Sequence, residues 1–301
     1  MATILITGGS GLIGGALTRA LQREGHSIRW LSRTSGITNG VQRFTWDIDR
    51  GTVDTEALMG IDHIIHLSGA GIADKRWTEE RVRELRSSRG GAARLLLKAA
   101  NECGCEPKSF ISASGTGIYG AITSDHVFSE EDPAANDTIA RITKDWEEGA
   151  DTWKTTCRVV KLRTPMVLAH DGGALKRLSV PLRFGLGAAL GSGKQWTPWV
   201  HIDDLLATYV KAVSDAGMND AYNVVADEQP RNTDFMRGVA KALHRPFFLP
   251  NVPAFALRIA LGELSKILLE GSRISGERLN RTGFRMRYDT LGAALQQTLA
   301  D

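Results

Sequence analysis

Residues 1–35 constrain the fold more than any other stretch of this chain. Thr3-Ile4-Leu5-Ile6-Thr7 is a short apolar, β-branched run, Gly8-Gly9-Ser10-Gly11-Leu12-Ile13-Gly14 follows at once, and residues 16–24 carry apolar side chains at helical spacing. The order is strand, glycine turn, helix. A diphosphate needs a turn tight enough to bring backbone N–H groups against it, and a helix N-terminus whose partial positive charge faces it. Gly8 permits the turn, Gly11 removes the side chain that would block a pyrophosphate, and Gly14 lets the helix lie close on the strand. Leu12 and Ile13, between them, complete this candidate dinucleotide site.

The second strand, residues 27–31, decides which dinucleotide. A ribose with a free 2′-hydroxyl calls for an acidic residue near the strand end, whereas a 2′-phosphate calls for an Arg. Here the strand ends Leu31-Ser32-Arg33-Thr34 with no carboxylate in reach. A guanidinium grips a phosphate bidentately and Ser32 donates beside it, so the expected cofactor is NADP(H).

At 301 residues the chain exceeds one nucleotide-binding unit, and 42% hydrophobic content supports a full core and a second lobe. The balance of 37 basic against 34 acidic residues leaves +3, too small and dispersed for nucleic acid. Cys103, Cys105 and Cys157 have neither disulfide-framework nor zinc spacing and fit a reducing compartment. The first strand begins by Thr3, leaving no room for a signal peptide, and no apolar run approaches the ~18 residues of a membrane span. A cytoplasmic protein without membrane or nucleic-acid partners is expected.

Further along, a third strand over 41–46 ends in Asp47-Ile48, where an Asp and an apolar neighbour suit an adenine, or simply cap a strand end. A fourth strand, 61–67, runs into Leu67-Ser68-Gly69-Ala70, small residues that admit a cofactor. His63 and His66 fall on opposite strand faces and read as packing residues. Residues 79–102 read as one long helix containing Glu84 and Arg89. A fifth strand, 109–113, opens through Ser112, Ala113 and Ser114 into Thr116 and Tyr119, hydroxyls at the strand end where such sheets place reactive groups. A helix over 139–153 carries Lys144, and a sixth strand, 157–162, leads to Met166 and Val167. The glycine-rich stretch that follows, holding Arg183, Lys194, Trp196 and Trp199, reads as a substrate-facing flap. His201, beside a helix start, is expected to be structural. A last strand is expected over 222–225 and a mostly helical remainder from Thr233. The chain therefore divides into a dinucleotide-binding domain over 1–165, with a return at about 199–225, and a smaller substrate lobe from 166–198 and 226–301. The fold class is α/β, a doubly wound parallel sheet with a helical C-terminal lobe.

Taken together, Thr7 to Gly14, His66-Leu67-Ser68-Gly69, Phe110 to Ser114 with Ile118-Tyr119-Gly120, and Trp199 to Asp204 resemble extended short-chain dehydrogenase/reductases of the sugar-nucleotide epimerase/dehydratase type. Ala73-Asp74-Lys75-Arg76-Trp77-Thr78, Gly191-Ser192-Gly193 with Pro198-Trp199, Asn223-Val224 and Gly283-Phe284 resemble the atypical "epimerase family protein" subgroup. The resemblance implies a Ser or Thr that orients a substrate oxygen and a Tyr-x-x-x-Lys pair in which Tyr moves the proton. Ser114 matches the serine and Lys144 the lysine, but Ala140 stands where the tyrosine belongs. Tyr119 or Thr116 is then the alternative proton carrier, and a cofactor-binding sensor without turnover the alternative function. The family's cofactor-facing Asn aligns with Arg89, which makes Arg89 a candidate ligand and Glu84 its candidate neighbour. A small-molecule substrate, a sugar or an anionic metabolite, is implied, and a homodimer is compatible with the family.

Overall fold

The computed structural model describes residues 1–299. Its strands are β1 (Thr3–Thr7), β2 (Ser27–Ser32), β3 (Gly36–Thr38), β4 (Val41–Asp47), β5 (Thr52–Val53), β6 (His63–His66), β7 (Ser109–Gly115), β8 (Val127–Phe128), β9 (Arg158–Thr164), β10 (Met166–Leu168), β11 (Trp199–His201), β12 (Asp220–Asn223) and β13 (Arg273–Ile274). The helices are α1 (Leu12–Arg23), α2 (Glu79–Arg86), α3 (Ala92–Glu102), α4 (Thr138–Asp151), α5 (Gly173–Arg183), α6 (Ile202–Ser214), α7 (Asn232–Ala242), α8 (Ala254–Leu261), α9 (Lys266–Leu269), α10 (Glu277–Arg281) and α11 (Leu291–Leu299).

The main sheet runs β12-β9-β7-β6-β1-β2-β4-β3 and is parallel from β12 through β4, with β3 and β5 pairing antiparallel to β4. Strand order reverses at β1, so a crevice opens between the C-terminal ends of β1 and β6, where ligands bind in sheets of this kind. Both faces are covered, which is why β1 is apolar at successive positions. Ile4 and Ile6 join the layer holding Leu17 and Leu21 of α1 and Leu205 and Tyr209 of α6. Leu5 joins the opposite layer, with Leu96 of α3, Phe110 and Trp153. A third cluster, Leu175, Leu182, Trp199, Phe235, Val239 and Leu295, gathers residues from the second half of the chain.

Two expectations change. The segment 79–102 is not one helix: a π-helical turn at Ser87–Gly91 separates α2 from α3. Such a turn accommodates an extra residue while keeping the helical direction, so the apolar periodicity alone does not reveal it. The edge strand β3 was not foreseen either, because its three residues are mostly exposed and show no alternation.

Candidate active site

The glycine turn has the geometry a diphosphate requires. Gly8 has φ +72°, a left-handed conformation, and a Cβ there would meet the Leu67 and Ser68 backbone at 3.0 Å. A Cβ on Gly14 would lie 2.3 Å from the Gly8 carbonyl, so the start of α1 packs directly on the turn. Gly11, the exposed residue preceding α1, would place a Cβ near the Gly8 carbonyl alone. The N-terminus of α1 has no side-chain cap and no acidic residue in its first turn, which leaves its donors and its dipole to a ligand. Leu12 and Ile13 are half-buried at this end, and Ile13 packs on the core below. Trp30 Nε1 donates to Thr18 Oγ1 at 2.9 Å and Thr18 donates to the Gly14 carbonyl at 2.8 Å, which pins α1 to the sheet.

Around this turn the structure distributes the expected cofactor residues unevenly. Arg33 is exposed and forms no salt bridge among the described residues, while Ser32 donates to the Thr34 carbonyl in the same loop. Arg43 reaches the loop from β4, donating to Thr34 Oγ1 and the Ser35 carbonyl at 3.3 Å each. Asp47 is engaged locally, accepting from the Arg50 backbone N–H at 2.9 Å, and Ile48 packs against the core. Thr7 Oγ1 meets His66 Nδ1 at 2.9 Å and accepts the N–H groups of Leu67 and Ser68 at 3.2 Å, which ties the ends of β1 and β6 together. His66 is fully buried, and burial lowers its pKa to about 4. His63 bonds Ser109, and no cluster able to hold a metal occurs among the described residues.

Arg89 projects from the π-helical turn beneath Gly69 and Ala70. The residue is 7% exposed, and its guanidinium donates to the carbonyls of Leu85 at 3.1 Å and Ala70 at 2.8 Å and lies 5.0 Å over the Trp146 ring. No carboxylate pairs with it among the described residues; burial, with the Arg81 charge, lowers its pKa to about 10. Glu84 does not reach it but pairs with Arg81, which holds the Gly71 carbonyl.

The expected catalytic residues occupy different positions from those the motif implies. Lys144 is exposed on the outer side of α4, its Nζ 3.9 Å from Glu148. The α4 residue that meets Ser114 is Glu147: Ser114 Oγ donates to Glu147 Oε1 at 2.6 Å. Arg163 closes on that carboxylate in bidentate fashion, Nε to Oε1 at 2.8 Å and Nη2 to Oε2 at 2.9 Å, and Lys161 stands 3.6 Å away. Burial raises the Glu147 pKa, but the Arg163 and Lys161 contacts and the Ser114 hydrogen bond outweigh it and hold the group below its ordinary value. Arg163 Nη1 donates to Tyr119 Oη at 2.9 Å, and that hydroxyl donates to Asn223 Oδ1 at 2.8 Å. Burial pushes the Tyr119 pKa up to about 12. Tyr119 Oη is thus held on both sides by protein groups, with Arg163 as donor and Asn223 as acceptor. Glu147 and Arg163 went unread in the sequence, since neither lies in a motif and their partnership arises from packing α4 on β9. Ala140, at the expected tyrosine position, is fully buried. Ser112 bonds the Ala113 carbonyl, and Met166 and Val167 are half-buried in β10.

In the glycine-rich stretch, Trp199 is fully buried in the cluster with Leu168, Leu175 and Phe235, so it is a core residue and not a substrate contact. Trp196 is half-buried with the Arg231 guanidinium 3.7 Å and that of Arg273 5.2 Å from its ring centroid. Lys194 and Arg183 are exposed. His201 caps α6, accepting from the Asp203 N–H at 3.2 Å and meeting Gln297 Oε1 at 2.6 Å.

Residues 4–143 match the NAD dependent epimerase/dehydratase family, and residues 252–298 match a domain of unknown function, DUF1731. The epimerase family protein YfhF of Bacillus subtilis is 34% identical over 302 residues, spanning 99% of this chain and 98% of that protein. This chain belongs to the epimerase family. A crystal structure of the human epimerase family protein SDR39U1 (isoform 2) with NADPH superposes with a TM-score of 0.89 at 31% identity, covering 99% of both chains. A nucleoside-diphosphate sugar epimerase from Corynebacterium glutamicum superposes with a TM-score of 0.80 at 28% identity, over 99% of this chain and 58% of that one. These epimerase family structures share the doubly wound sheet. Among the described residues, no helix is long and apolar enough to cross a membrane.

Proposed function

We propose that this epimerase family protein is an NADP(H)-dependent oxidoreductase acting on a small molecule, a sugar or an anionic metabolite. The observation that carries the reading is the uncapped N-terminus of α1 on the Gly8–Gly14 turn, with Arg33 unpaired among the described residues at the end of β2. The human relative's NADPH complex supports the same cofactor. Leu12 and Ile13 would offer N–H groups to the diphosphate, Arg33 and Ser32 would meet the 2′-phosphate, and Arg89 would supply a desolvated cation under the Gly69–Ala70 loop. The bound nicotinamide would give or accept the hydride. Glu84, Asp47 and Lys144 take no part in this reading.

A second reading, a redox sensor that binds NADP(H) without turnover, is favoured by one arrangement: the hydroxyl protons of Ser114 and Tyr119 both go to protein acceptors. The two readings separate in a spectrophotometric assay of NADPH oxidation with aldoses and 2-keto acids, and of NADP+ reduction with the corresponding alcohols. Turnover above protein-free controls supports the oxidoreductase; tight cofactor binding with no turnover on any compound supports the sensor.

A further inference from the structure

Two stretches of the chain form one surface. Gly187 pairs with Phe247 and Leu190 with Val252 in isolated parallel bridges, and the Val252 N–H donates to the Ala189 carbonyl at 2.8 Å, so the loop after α5 runs beside the loop that leads into α8. The loop after β6 ties the two helices together: Arg177 of α5 pairs with Asp74 at 2.8 Å, and Arg76 donates to the Ile259 carbonyl of α8 at 2.7 Å. On this surface Phe184, Leu186, Phe248, Phe255 and Ile259 are 57–80% exposed. α8 is apolar at every position but Arg258, yet none of its residues is buried. An apolar helix left open in this way marks a contact with something outside the chain.

The charge of the surface identifies the kind of contact. Residues 172–191 and 244–262 contain Lys176, Arg177, Arg183, Arg245 and Arg258 and no Asp or Glu, in a chain that holds 34 of them. Only Arg177 of the five forms a salt bridge among the described residues. Asp171 and Glu263, just outside the two stretches, are engaged with His170 and Lys266. The +3 of the whole chain conceals this concentration. We infer that this face docks on an anionic lipid surface, its apolar side chains entering the boundary between headgroups and acyl chains while its basic residues meet the headgroups. Docking of this kind needs no membrane-spanning helix, and it is independent of the oxidoreductase reading. A second copy of this chain would set the same basic rim against itself with no carboxylate to pair, so the face does not suit an isologous dimer. The apolar side chains protrude from α8, the end of α5 and the two loops; a fluid bilayer receives them without a matching shape, whereas a protein partner needs one.

The test is co-sedimentation of the full-length protein with sucrose-loaded vesicles of phosphatidylcholine, with and without about 30% phosphatidylserine, at about 0.1 M and about 0.5 M salt. Each basic residue near an anionic surface tightens binding about fivefold, so the phosphatidylserine vesicles should bind about tenfold or more tighter than the neutral ones, with the margin narrowing at high salt. Phe255→Ser/Ile259→Ser removes two inserted side chains and should weaken binding about tenfold or more at either salt concentration. Arg245→Glu/Arg258→Glu should abolish the preference for phosphatidylserine. Arg50→Glu/Lys98→Glu, the same charge change at exposed residues outside the face, should leave binding as it is. If the apolar pair of substitutions does not fold, Arg245→Glu/Arg258→Glu against this control decides the question. No sedimentation with either vesicle, equal binding to both, binding unchanged in either face variant, or a loss as large in the control overturns the inference. So does a wild-type dimer in sedimentation velocity that Phe255→Ser/Ile259→Ser dissolves, which assigns the face to a second copy.

Discussion

Arg89→Met separates a residue kept for structure from one kept for a ligand. The guanidinium is buried without a carboxylate, and its pKa falls from 12.5 to about 10. A base whose folded pKa is depressed disfavours folding wherever both states are protonated, so at neutral pH desolvation and the Arg81 charge cost about 3 kcal/mol before the hydrogen bonds of Arg89 are counted. Replacing it by Met relieves that cost but forfeits two charged hydrogen bonds, to Leu85 and Ala70, at about 1.5 kcal/mol each. The contact with Trp146 passes from a cation–π to a sulfur–aromatic interaction of similar size. These contributions nearly cancel, so the cofactor-free protein should unfold in urea within about 1 kcal/mol of wild type, whereas breaking a buried ion pair costs about 3–5 kcal/mol. Cofactor affinity behaves differently. Loss of a charged hydrogen bond in the cleft should weaken NADPH about 10-fold or more, read by fluorescence titration. A variant destabilised by several kcal/mol that retains wild-type NADPH affinity would refute the assignment of Arg89 to the ligand.

Two other predictions follow from the same geometry. Gly14→Ala forces a Cβ to within 2.3 Å of the Gly8 carbonyl; the helix must shift, at a cost of about 1–3 kcal/mol in thermal unfolding together with a loss of NADPH affinity. His66 is neutral in the fold with a pKa lowered to about 4 from 6.5, so the unfolded chain takes up a proton first. Its contribution is complete above pH 6.5 and should decline by about 3 kcal/mol as pH falls toward 4, a dependence that His66→Gln should flatten in urea titrations across that range.

The sequence disclosed the elements whose signal is local. The Thr3–Thr7 strand, the glycine turn and α1 are adjacent in the chain, and their periodicities and glycines specify them without reference to distant residues. The π-helical turn at Ser87–Gly91 was invisible because the charged α2 and apolar α3 read as a single helix with a solvated first half. Motif spacing nominated Lys144, but the buried stripe of α4 runs Ala140, Thr143, Glu147, Ala150 and leaves Lys144 outside it. A charged Glu on that stripe carries no sequence signal of burial; only the packing of α4 against β9 brings it the Arg163 that makes burial tolerable. Trp199 follows a related logic: glycine-rich surroundings suggest a flap, yet the residue begins a short strand paired with β10 and packed in the cluster with Leu175 and Phe235.

The most direct test of the account is calorimetric titration of the wild-type protein and of Arg33→Ala with NADPH, NADH and their oxidised forms. Arg33 is exposed at the end of β2 and unpaired among the described residues, so its removal should leave the fold intact and act on the 2′-phosphate alone. The account predicts that wild type prefers the phosphorylated forms and that Arg33→Ala loses this preference while still binding NADH. Equal binding of both dinucleotides by wild type, or no binding of any, would contradict it.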